Sequence, residues 1–202
     1  MSVPYGMVHG RFQPFHNGHL EYVLSALQRC DHLIIGITNP DPSLIVQESA
    51  DPDRHLPEAN LFTFFERQWM VRVALAEARC EASRVSLVPF PIHHPEYWQF
   101  YCPPKTTQFV RLFSAWGREK FERFQTLGWP VVVLDAGVKK QVSGTEVRRR
   151  LSAGQGWEEL VPCAVAQVLR EIGAIERMRK VVSSQRAAAE KFAVRHCALW
   201  YS

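Results

Sequence analysis

A chain of 202 residues with 47% hydrophobic and 22% charged residues has material for one sizeable core, which argues against wholesale disorder. Its formal charge of +4 suits an anionic small molecule and is too diffuse to demand nucleic acid as a partner. The five cysteines are scattered without a C-x-x-C pair, which argues against a disulfide framework and a structural zinc site.

In chain order, residues 4–9 are apolar and end at Gly10, the pattern of a buried strand running into a turn. The opening residues lack a charged segment followed by a long apolar run, so no secretory signal is read there. No stretch approaches the roughly 18 apolar residues that span a bilayer, so a cytoplasmic protein with no membrane partner is expected. Leu20, Val23, Leu24 and Leu27 recur at helical spacing, and residues 33–38 form a second apolar strand. Strand, helix and strand within about forty residues make a βαβ unit, hence an α/β fold with a parallel sheet.

Residues 39–60 are polar and punctuated by Pro40, Pro42, Pro52 and Pro57, which reads as a functional loop or lid, or else a disordered insertion. Thr63-Phe64-Phe65-Glu66 is a capping box that opens a helix running to about Arg79, and 85–90 is a third strand. The stretch 89–104 is rich in proline and aromatic residues. Residues 108–114 are expected to form a fourth strand, 117–127 an amphipathic helix stopped by Gly128, and 131–135 a short strand. Ser143-Gly144-Thr145-Glu146 is a second capping box, opening a helix that ends near Gly154. Residues 157–172 and 176–195 read as C-terminal helices.

The chemistry concentrates in Gly10-Arg11-Phe12-Gln13-Pro14-Phe15-His16-Asn17-Gly18-His19, after the first strand and at the start of the first helix, where a doubly wound sheet binds its ligands. Helix N-terminal amides attract anions, and Gly10 and Gly18 remove side chains where backbone would approach a triphosphate. His16 and His19, three apart on an opening turn, can point the same way and donate to phosphate oxygens, with Arg11 adding positive charge. A metal-binding His-x-x-His pair is the competing reading, but no third ligand stands at useful spacing. A P-loop is excluded, since G-x-x-x-x-G-K-[ST] does not occur. Ser143-Gly144-Thr145-Glu146-Val147-Arg148 repeats the arrangement, with two hydroxyls, first-turn amides and Arg148 one turn in. Alone, that second segment is equally an ordinary capping box.

Together the two segments resemble the two signatures of the HxGH nucleotidyltransferase superfamily, the second usually written ISSTxxR. Within it the chain is similar to the archaeal-type nicotinamide-nucleotide adenylyltransferases. That similarity continues through Arg148-Arg149-Arg150-Leu151, Trp157, Leu160, Pro162 and Ile172, and through Thr63, Glu66 and Arg67. The resemblance implies a Rossmann-like domain over residues 1–155, with a C-terminal helical segment, 156–202, packed on it. It implies a nucleoside triphosphate, ATP or CTP, and Mg²⁺ held mainly by the triphosphate rather than by protein ligands. His16, His19 and Arg148 would be catalytic, and Gly10, Arg11, Phe12, Gln13, Gly18, Ser143, Gly144 and Thr145 would bind nucleotide. Asn39, Arg67, Tyr97 and Trp98 would bind the acceptor, with the Trp98 ring able to stack on nicotinamide. Core packing is the alternative for Trp98.

Two segments depart from the family pattern. Where the family carries a basic residue before the middle helix, this chain reads Ala59-Asn60-Leu61-Phe62-Thr63, with Arg54 or His55 as substitutes on the loop. Where the family carries Ser-Gly-Asn after the fourth strand, it reads Ser114-Ala115-Trp116-Gly117-Arg118. The overall likeness implies adenylyl transfer from ATP to nicotinamide mononucleotide, giving NAD. The departures point to CTP-dependent transfer to a small phosphate or phosphonate. A non-catalytic nucleotide sensor is a third reading, opposed by the intact His16, His19, Ser143, Thr145 and Arg148. Superfamily members are often oligomers, so a homo-oligomer is compatible with the resemblance.

Overall fold

Side-chain alternation along the strands decides how the sheet is covered. The computed structural model describes residues 2–47, 53–113, 115–134 and 142–197, and their side chains except at 115, 116 and 186–197. Strands β1 (Val3–Gly10), β2 (Cys30–Thr38), β3 (Val85–Phe90), β4 (Thr107–Val110) and β5 (Val131–Val133) pair in parallel in the order β3-β2-β1-β4-β5. The fold is Rossmann-like. The chain works outward from β1 to β3, then returns to the other side of β1, so the switch point lies between β1 and β4.

Val8, Leu33, Ile35 and Ile37 face one layer of helices: α1 (Asn17–Leu27), α2 (Phe64–Glu77), α4 (Gly144–Ala153), α5 (Cys163–Glu171) and α6 (Ala174–Cys197). Met7, Ile34, Phe90 and Val110 face the other side, where Ile92, Trp98, Cys102 and Phe124 of α3 (Ala115–Thr126) cover them. The two-residue period therefore turns His9, at the end of β1, toward this second cluster, where its ring meets Phe90 and Phe124.

Helix starts follow local chemistry. Thr63 and Glu66 form the reciprocal capping box of α2, with bonds of 3.3 and 2.8 Å. At α4 only half of the expected box forms. Ser143 Oγ accepts from the Glu146 amide at 3.1 Å, but the Glu146 carboxylate goes to Arg149 and Arg150, which hold its pKa down to about 2. Gly154, with φ 74°, ends α4 in the left-handed conformation that glycine adopts freely.

Three expected elements differ. The fourth strand stops at Val110 because the chain folds back tightly into α3: a Cβ at Gly117 would lie 2.7 Å from the Arg111 carbonyl oxygen. Residues 157–172 are not one helix. Pro162 lacks an N–H and leaves Val161 extended, so a short 3-10 turn at Glu158–Leu160 precedes α5. The fifth strand is Val131–Val133, and Asp135 lies outside the described residues.

Of the 39–60 connection, residues 48–52 lie outside the described residues. The remainder contains 3-10 turns at Pro42–Leu44 and Pro57–Asn60, and the Arg54 carbonyl accepts from Arg11 and Asn60 at 2.8 Å each. Arg177 of α6 reaches the start of α2, pairing with Glu66 and donating to the Leu61 carbonyl at 2.6 Å. The four cysteines whose side chains are described are free thiols, and no described helix is long and apolar enough to cross a membrane.

Arg67, on α2, is almost fully buried without a carboxylate partner among the described residues; it donates to main-chain carbonyls instead. Its guanidinium reaches Thr38 and Asn39 at 2.7 Å each, Arg11 at 2.9 Å and Thr63 at 3.2 Å. Burial lowers its pKa to about 10, which leaves it charged at neutral pH. Replacing it in Arg67→Met strands several buried carbonyls and should destabilise the fold by about 2–4 kcal/mol. Urea unfolding is the check: the midpoint should fall by roughly 1 M or more, and an unchanged midpoint would refute this role.

Candidate active site

The first helix is capped by its own histidines. His16 is the N-cap of α1, extended at φ −134° and ψ 171°. Its Nδ1 accepts from the His19 amide, and the Nδ1 of His19 accepts from the His16 amide, both at 3.3 Å. The rings stack at 3.6 Å between centroids and 20° between planes. With both Nδ1 atoms acting as acceptors, a neutral ring carries its proton on Nε2. Two Nε2–H donors therefore stand side by side at a helix start whose amides already favour an anion.

Behind them, Phe12 meets the His19 ring edge-on at 4.9 Å and 89°, and Phe15 lies 5.6 Å from it. Phe12 holds the left-handed φ of 53° and is buried, so its side chain is a wedge under His19. Gly10 makes room for it, since a Cβ there would stand 2.8 Å from the Phe12 ring.

Gln13 is also a fastener. Its side-chain amide pairs with both backbone groups of Phe62 at 2.8 Å. Its main-chain carbonyl accepts from Arg148 Nη1 at 2.7 Å, while Arg148 Nη2 donates to Thr145 Oγ1 at 3.3 Å. These contacts join two motifs 135 positions apart in the chain. The approach is close enough that a Cβ on Gly144 would lie 3.1 Å from both Arg148 Nη1 and the Gln13 carbonyl, and one on Gly18 3.6 Å from the Val142 carbonyl. The structure thus brings together His16, His19, Gly18, Ser143, Gly144, Thr145 and Arg148 at two adjoining helix N-termini. Arg11 instead donates to the carbonyls of Arg54 and Ala59, at 2.8 and 3.5 Å, and so holds the loop.

Sequence reasoning passed over Arg111. It follows β4, donates to the Gly18 carbonyl at 3.3 Å, pairs with Glu21 of α1 at 3.5 Å and lies 5.4 Å over the Tyr22 ring.

The four expected acceptor residues separate. Trp98 is fully buried between Phe90 and Phe124, and its Nε1 donates to the Pro91 carbonyl at 2.9 Å. Its ring is core, with no face for a ligand. Arg67 is buried and directs four hydrogen bonds to backbone carbonyls. Tyr97 is half exposed and packs near His94. Asn39, with φ 51°, does face a cavity.

That cavity is lined by His9, Gly10, Thr38, Asn39, Arg54, Ile92, His93 and Lys120, and encloses about 240 Å³ including its open mouth. Neither ring nitrogen of His9 has a hydrogen-bond partner among the described residues. Burial first, then the nearby Lys120 and Arg54 charges, push the His9 pKa well below its usual value, so the ring is neutral. An unsatisfied buried donor costs about 1–3 kcal/mol. The only sequence signal for His9 was its place in the strand alternation after Met7.

Among the described residues no group of three His, Cys, Asp or Glu side chains could hold a metal ion. The donors assembled at the two helix starts are N–H groups and cations, a set suited to phosphate oxygens. A divalent cation fits such a site as a passenger on the triphosphate.

Residues 7–150 match the family described as Cytidylyltransferase-like. The chain is 48% identical over 174 residues to a phosphonoformate cytidylyltransferase of Streptomyces viridochromogenes, covering 86% of this chain and 95% of that protein. It is 34% identical over 187 residues to a nicotinamide-nucleotide adenylyltransferase of Thermococcus kodakarensis, covering 92% of each. Its fold resembles a bifunctional NMN adenylyltransferase/ADP ribose pyrophosphatase from Francisella tularensis, with a TM-score of 0.65 at 18% identity. The match covers 98% of this chain and 56% of that one, so the chain spans little more than half of this structural neighbour.

Arg148→Gln removes the charge that joins the two helix starts. Calorimetric titration with a nucleoside triphosphate should show a Kd raised roughly tenfold to a hundredfold, the value of a charged hydrogen bond. Unchanged affinity would remove Arg148 from the triphosphate site.

Proposed function

This chain belongs to the Cytidylyltransferase-like family and is a nucleotidyltransferase, and from that premise we propose that it transfers a cytidylyl group from CTP to a small phosphonate. The observation that carries this reading is the 48% identity to a phosphonoformate cytidylyltransferase across 95% of that protein's length. The interior position of Trp98 supports it, since a stacking platform for a nicotinamide ring is then missing from the residue best suited to supply one.

The reaction needs little from the protein beyond placement and charge. An acceptor phosphonate oxygen is anionic near neutral pH, so no general base has to remove a proton. That oxygen forms a bond to the α-phosphorus of CTP while the bond from the α-phosphorus to the bridging oxygen breaks. Pyrophosphate leaves with the electron pair. The Nε2–H groups of His16 and His19, and the amides opening α1 and α4, bind the triphosphate and offset the charge growing on the leaving group. Ser143, Thr145 and Arg148 hold its terminal phosphates. Mg²⁺ carried on the triphosphate would supply further neutralisation.

A second reading, adenylyl transfer from ATP to nicotinamide mononucleotide, is favoured by the 34% identity to the Thermococcus enzyme over 92% of its length. Pyrophosphate release separates the two. CTP with phosphonoformate should turn over faster than ATP with nicotinamide mononucleotide, and the reverse order would overturn the cytidylyl reading. His19→Ala should lower turnover by roughly 10²–10³, as loss of one preorganised donor does.

A further inference from the structure

The geometry points to the cavity around His9 as the seat of a second anionic group on the acceptor, so that the enzyme selects small phosphonates carrying a carboxylate. This inference rests on the phosphonate reading above and adds the residues that choose among phosphonates.

Four observations support it. First, His9 is almost wholly buried, and both its ring nitrogens lack a partner among the described residues, although it lines an open cavity. A polar ring held this way is satisfied only when something with hydrogen-bonding oxygens enters. Second, the rest of the lining is cationic or N–H bearing: Arg54, Lys120, His93 and Asn39 surround the same space. No described carboxylate lines it. Arg54 and Lys120 line the same cavity as His9 and both act on it electrostatically.

Third, the cavity is small. Counted with its open mouth and the solvent in it, its volume is only about 240 Å³. Its apolar floor is already filled, with Phe90 and Phe124 packed against the His9 ring and Ile92 alongside, so no aromatic face is offered to a base. Fourth, Gly10 lines the cavity and also begins the segment that carries His16 and His19, and Arg67 ties the Arg11, Thr38 and Asn39 backbones together. A short acceptor can therefore set one anionic end among His9, Arg54 and Lys120 and present its phosphonate oxygen to the α-phosphorus.

The test compares phosphonoformate with methylphosphonate, which keeps the phosphonate and lacks the carboxylate. Wild type with CTP should favour phosphonoformate in kcat/KM. In His9→Val that preference ratio should fall roughly tenfold to a hundredfold, with the KM for CTP unchanged. Lys120→Gln, on the half-buried rim, should reduce the ratio likewise and covers the case in which the His9 variant does not fold. A ratio that survives both changes overturns the inference. So does a wild type indifferent to the carboxylate. Calorimetric titration of phosphonoformate into wild type and both variants keeps the two claims apart. If no phosphonate releases pyrophosphate, the cytidylyl reading falls, while weakened phosphonoformate binding in the variants still upholds the pocket and equal affinities overturn it.

Discussion

The buried guanidinium of Arg67 organises the ends of the central strands. It arises from α2 and binds carbonyls at Arg11 after β1 and at Thr38 and Asn39 where β2 ends. Carbonyls at the C-terminal ends of parallel strands leave the ladder unpaired, and an unpaired buried carbonyl is destabilising. One side chain meets three of them while bonding the carbonyl of its own N-cap, Thr63. The loops leaving β1 and β2 are thereby held at fixed separation. Gln13, clipped to Phe62, repeats the device one turn further on.

The proposed site gains rigidity because the side chains assigned to binding are also its helix caps. His16 and His19 close the first turn of α1 on each other, and Ser143 closes the first turn of α4. Each side chain that caps a helix holds its binding atoms in place before any ligand arrives. Preorganised donors of this kind need no rearrangement as charge develops, which is the condition under which they act most strongly.

Legibility in the sequence followed the range of the interaction. Thr63 with Glu66, and Ser143 as an N-cap, are contacts within three residues, and they stand out in the bare string. The same holds for the paired histidines around Gly18. The parallel α/β sheet was readable because β1, α1 and β2 follow one another closely. The burial of Trp98 and Arg67 depends on distant segments: Phe124 sits on α3, and the Arg11, Thr38 and Asn39 carbonyls that Arg67 binds belong to two loops. Phe12 stands inside the motif, and its left-handed backbone, which the bare string does not show, turns its ring under His19. His9 was passed over because only strand pairing decides which face it meets. Half of the capping box at Glu146 failed for a reason visible only in retrospect, the two arginines that follow it.

The alternation of β1 separates two tasks onto opposite sides of one strand. Val8 helps to anchor the helix layer that carries the two helix starts proposed to bind the triphosphate, while His9 faces the cavity beyond it. A substitution at position 9 can reshape what enters that cavity without passing through the core beneath the donor loop. Descendants of such a fold can therefore explore new acceptors by drift at a few strand-end positions, keeping the nucleotide chemistry they inherited. The strand's two-residue period makes diversification of substrate and preservation of mechanism separately heritable.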